Sequence, residues 1–89
     1  METDEPLRKY WPIGLICSVI EERTHTVRFW STAFEVPYII NSRKHRSYDE
    51  KGLAMLREIK TLVRTEGYTI KGAVKRMKNN ALLEKLYKS

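Results

Sequence analysis

Arg43, Lys44, His45 and Arg46 fill four consecutive positions of the segment NSRKHRSY, which contains no acidic residue. Guanidinium and ammonium groups crowded in this way suit a polyanion. Neutralising the phosphates of a duplex releases condensed counterions and gives affinity without sequence information. Arg43, Lys44 and Arg46 are the candidate phosphate contacts, and Tyr48 adds a hydroxyl that can donate to a phosphate oxygen. The competing reading of any charge run is a solvated loop that serves solubility alone. Other chemistries find little support. Cys17, His25 and His45 are the only soft metal ligands, and their spacing matches no zinc pattern. Glycine-rich phosphate loops, nucleophile elbows and paired-carboxylate motifs do not stand out, so neither catalysis nor a cofactor or metal is expected.

The elements that must position these groups follow from hydrophobic spacing. Ile13, Ile16, Cys17 and Ile20 recur at helical period, with Pro12 suited to the helix start. After the polar segment EERTHT, Val27, Trp30 and Phe34 mark a second helical face, with Thr24 as its expected cap. Two short helices separated by a few polar residues form a helix-turn-helix candidate. Tyr38 to Ile40 then favour a strand, and Ser47 and Tyr48 its return partner, which makes a two-stranded hairpin with the basic run at its tip. A third helix is predicted over Glu50 to Thr65, with Asp49 as N-cap, Gly67 as terminator and Leu53, Leu56, Ile59 and Val63 as its buried face, Leu62 adjoining. A fourth runs from Ile70 to about Asn79, capped by Thr69, with Ile70, Ala73, Val74 and Met77 inward. Residues 80–89 begin a further amphipathic stretch, and residues 1–9 read as a flexible leader.

The 89 residues allow one domain with a modest core. A net charge of +6 favours nucleic acid as partner, ahead of an anionic membrane surface or an acidic protein. One cysteine excludes an intramolecular disulfide and fits a reducing compartment. The longest apolar window, WPIGLICSVI, is too short to span a bilayer, and the acidic METDEP is unlike a signal peptide. A cytoplasmic, nucleoid-associated protein is expected, with no membrane partner.

The segments IGLICSVI, HTVRFW, RSYDEKGLAMLREIK and EGYTIKGAVK, in this order, resemble the DNA-binding domain of the MerR (mercury-resistance regulator) family. The resemblance covers residues 10–79, and VRFW and GYTIKGA carry most of it. It implies a mainly α, winged helix-turn-helix fold of four helices, with the basic hairpin as wing. It also implies that the second helix is the recognition helix and enters a major groove. Arg23, His25, Thr26, Arg28 and Phe29 then face outward, because Val27, Trp30 and Phe34 face inward. Arg28 is the strongest candidate reader, since a guanidinium can make paired hydrogen bonds to guanine or straddle a phosphate. Its alternative is a surface salt bridge with Glu21 or Glu22. At the start of the fourth helix, Tyr68, Thr69 and Lys71 could meet a backbone phosphate, where the helix dipole favours an anion. For Thr69 the alternative is a cap alone.

The sequence departs from the family pattern at Glu21 and Glu22, where the family usually carries a Gly-Val or similar pair. It also departs at Ser31, where an acid is usual, and at the hairpin tip, which has no glycine. Family members dimerise through a long helix after the fourth, so residues after 80 are the candidate homodimer element. The leading expectation is a bacterial transcriptional regulator that binds double-stranded DNA sequence-specifically. Two alternatives are an architectural DNA-binding protein without an effector and a protein-interaction module using the basic face and the C-terminal leucines.

Overall fold

The computed structural model describes residues 9–88, so most of the expected leader lies outside the described residues. The element order is β1 (Trp11–Pro12), α1 (Ile13–Ile20), α2 (Thr24–Ala33), β2 (Ile39–Ile40), β3 (Arg46–Tyr48), α3 (Glu50–Lys60) and α4 (Ile70–Lys88), with a π-helical turn at Thr61–Thr65 continuing α3. The hairpin β2–β3 pairs Ile39 with Ser47 and Ile40 with Arg46. It is the outer part of a three-stranded antiparallel sheet, because β1 pairs with the other edge of β3, Trp11 opposite Tyr48.

The spacing of apolar residues explains what is buried. Ile13, Ile16, Cys17 and Ile20 of α1 meet Val27, Trp30 and Phe34 on α2, and Leu56, Ile59 and Leu62 complete the core from below. Burying each such side chain stabilises the fold by about 1.5–3 kcal/mol relative to leaving it exposed. The register of the third helix departs from expectation at its end. Leu62 is buried and Val63 only half-buried, in the π-helical turn that replaces the last α-helical turn.

Local signals fix the helix ends. Asp49 caps α3, its Oδ1 accepting from the Gly52 N–H at 2.9 Å. Thr69 caps α4, its Oγ1 accepting from the Gly72 N–H at 3.0 Å. Gly52 must be small, since a Cβ there would sit 3.1 Å from the Pro37 carbonyl oxygen. Thr24 is not a cap. It is the first residue of α2, and Arg23 stands at the N-cap in extended conformation without a side-chain hydrogen bond. The fourth helix also does not stop near Asn79; it continues without a break through Lys88. No helix among the described residues is long and apolar enough to cross a membrane.

Candidate nucleic-acid interface

The wing tip is organised by one side chain. Asn41 Oδ1 accepts from the backbone N–H groups of Arg43 at 2.9 Å and His45 at 3.0 Å, while the Asn41 N–H donates to the His45 carbonyl at 2.8 Å. This local bonding turns the chain within a few residues and leaves Arg43, Lys44 and His45 exposed. Lys44 takes φ 63°, a left-handed conformation usually given to glycine, at the tip where glycine is missing.

Arg46 behaves differently from its neighbours. Its Nη1 donates to the Arg28 carbonyl oxygen at 3.3 Å, and its guanidinium carbon lies 4.3 Å from the centre of the Tyr38 ring. The side chain is half-buried and joins the wing to α2. On α2 and its N-cap, Arg23, His25 and Arg28 are exposed, Thr26 is half-buried and Phe29 keeps 55% of its surface open. Arg28 therefore lies beside the wing root, and the expected outward face of the second helix is continuous with the hairpin.

Tyr48 corrects the sequence expectation. Its side chain is fully buried, and its hydroxyl lies 2.6 Å from Ser31 Oγ, so it faces the core and not a phosphate. Ser31 Oγ also lies within hydrogen-bonding distance of the Val27 carbonyl, at 2.7 Å, which ties β3 to α2 through a polar joint inside the apolar core. At the start of α4, Lys71 is exposed and Tyr68 packs against the core. The Thr69 hydroxyl accepts its capping hydrogen bond. Among the described residues no hydrogen bond ties this helix start to α2 or the wing.

The acids of the helix-turn-helix are handled without Arg28. Glu22 accepts from Arg64 through both carboxylate oxygens, at 3.1 and 3.0 Å, and pairs with Lys60 at 3.7 Å. Lys60 in turn donates to the carbonyls of Ile20 and Glu21 at the C-terminus of α1, where a cation complements the helix dipole. The Arg64 guanidinium also lies 5.5 Å from the centre of the Trp30 ring. The hydrogen bond from Arg64 holds the Glu22 carboxyl below its ordinary pKa. Burial opposes that shift, and the charges of Arg64 and Lys60 reinforce it. This cluster draws Glu22 away from the exposed face of α2. Glu21 occupies the left-handed position after α1, with φ 59° and ψ 53°. The sequence offered no signal for the cluster, because its members are brought together only by the packing of α1 and α2 on α3.

Cys17 is buried and unpaired as a thiol, with Sγ 3.7 Å from Thr24 Oγ1. No group of three or more His, Cys, Asp or Glu among the described residues is placed to hold a metal ion. The profile of the MerR helix-turn-helix regulatory proteins matches residues 12–80, more than half of the chain. The chain belongs to the MerR family. No curated protein is significantly similar to it. MerR helix-turn-helix domains serve DNA-binding transcription regulation and are not enzymes, and in this winged helix-turn-helix α1 and α2 are the paired helices and β2–β3 the wing.

Proposed function

We propose that this MerR domain binds double-stranded DNA sequence-specifically as a bacterial transcriptional regulator, with α2 in a major groove and the wing on the flanking backbone. The joint between Arg46 and the Arg28 carbonyl carries the reading, because it sets the exposed cations of the wing beside the exposed face of α2. Arg23, Arg28, Arg43 and Lys44 then meet phosphates or guanine, with Lys71 at the α4 start as an outer contact. Arg46 serves chiefly to hold the wing, and Tyr48 has no direct contact.

Fluorescence anisotropy with a pool of random duplexes at several salt concentrations tests this. If the four exposed arginines and lysines of α2 and the wing each neutralise a phosphate, log K falls against log salt with a slope of about −4. Arg28→Ala weakens binding, and Arg43→Glu with Lys44→Glu removes it at physiological salt. A folded protein that binds no duplex even at low salt ends the proposal.

Regulators of this kind gain specificity by engaging two half-sites. The C-terminal half of α4 supports self-association. Leu82, Leu83, Leu86 and Tyr87 are 61, 51, 72 and 87% exposed. Beside them, Phe34, Met55, Val74 and Met77 line a groove of about 770 Å³. We assign this surface to a second copy of the chain.

A further inference from the structure

Phe29 is the exception on the exposed face of α2. Val27, Trp30 and Phe34, at 0, 2 and 7% exposure, fill the core side of the helix, whereas Phe29 is 55% exposed on the other side. Its neighbours one turn away are the polar His25, Thr26 and Thr32 and the small, half-buried Ala33, so on this helix it is the one large exposed apolar side chain. It adjoins Arg28, whose carbonyl anchors the wing. A phenyl ring offers no hydrogen-bond donor or acceptor, so it cannot bind a phosphate oxygen or a polar base edge. The major-groove edges of the four bases present one methyl group, at C5 of thymine.

We infer that Phe29 is a specificity-determining residue that packs on the C5-methyl of a thymine, next to the bases within reach of Arg28. The inference rests on the DNA-binding reading above and deepens it. Arg28 supplies affinity and reads guanine, and Phe29 adds a preference for thymine. Methyl recognition of this kind is selective because deoxyuridine presents the same polar groups without the methyl.

The test begins with selection of preferred duplexes from a random pool by the full chain. Each thymine of the selected site is then replaced singly by deoxyuridine, and binding is measured by anisotropy for wild type, Phe29→Ala and Phe29→Leu. At one or two positions the loss of the methyl should weaken wild-type binding about three- to tenfold. The same replacement should change Phe29→Ala binding less than twofold and give an intermediate loss in Phe29→Leu. Because Phe29 is exposed, both variants should keep the wild-type circular dichroism spectrum. A selected site without thymine, no loss at any deoxyuridine, or an equal loss in wild type and Phe29→Ala overturns the inference while leaving DNA binding intact. No binding by wild type to any duplex at low salt instead removes the DNA-binding reading, and this inference with it.

Discussion

Ser31 and Tyr48 form a polar joint inside an apolar core, and the two partners are not equivalent. Replacing Tyr48 by Phe removes a hydroxyl but leaves Ser31 Oγ bonded to the Val27 carbonyl. Replacing Ser31 by Ala leaves the Tyr48 hydroxyl buried without its partner. A removed hydrogen bond costs about 1 kcal/mol, whereas a stranded buried group costs about 2 kcal/mol. Ser31→Ala should therefore lower the urea midpoint more than Tyr48→Phe, and the double variant should lose less than the sum of the two. Equal effects, or strict additivity, would show that the hydroxyls do not depend on each other. The same joint explains why Tyr48 is not the DNA contact that its sequence neighbours suggest. A tyrosine beside a basic run gives no sign in sequence that a serine seventeen positions earlier will hold its hydroxyl in the core.

At the scale of elements, the helix-turn-helix is held from beneath by Glu22, Lys60 and Arg64. The Glu22 pKa is lowered, first by its hydrogen bond with Arg64, so folding favours its ionised form. That stabilisation is complete above the ordinary value of 4.5 and is lost as pH falls through the lowered folded value. Wild type should melt a few degrees above Glu22→Gln at neutral pH. The difference should shrink once the pH drops below about 4.5 and vanish in stronger acid, as measured by circular dichroism. A difference that does not change with pH would mean that the carboxylate charge is not what the cluster uses. Strong periodicity made α1, α2 and α3 legible in the sequence, and Asp49 and Thr69 were legible as caps because each side chain bonds its own helix. Three features were not. β1 is two residues ending in proline and exists only because β3 lies beside it. The π-helical turn leaves no periodic mark, and there Leu62, expected to adjoin the buried face, is buried while Val63 is half-buried. The fourth helix was expected to end near Asn79, yet α4 runs through the poor helix formers Asn79 and Asn80, with Asn80 Nδ2 3.4 Å from Glu58 Oε2.

For the whole molecule, the proposed self-association makes the exposed leucines of α4 set how many copies of α2 act together. Leu83→Glu with Leu86→Glu leaves the core untouched and should preserve helicity. On the proposed reading, wild type sediments as a dimer at micromolar concentration and the variant as a monomer. The variant should bind a two-half-site duplex about a hundredfold more weakly, because the second contact is no longer intramolecular. A wild type that stays monomeric throughout would assign that surface to another partner. The sheet sets a different kind of limit. α1 and α2 are neighbours in sequence and can pack as soon as both exist, but β1 must wait for β3, so Trp11 finds its register only when Tyr48 is present. During synthesis α2 is therefore complete while the wing is still unmade. On the proposed function, a chain on the ribosome could grip duplex only after the residues that finish the sheet have left the exit tunnel.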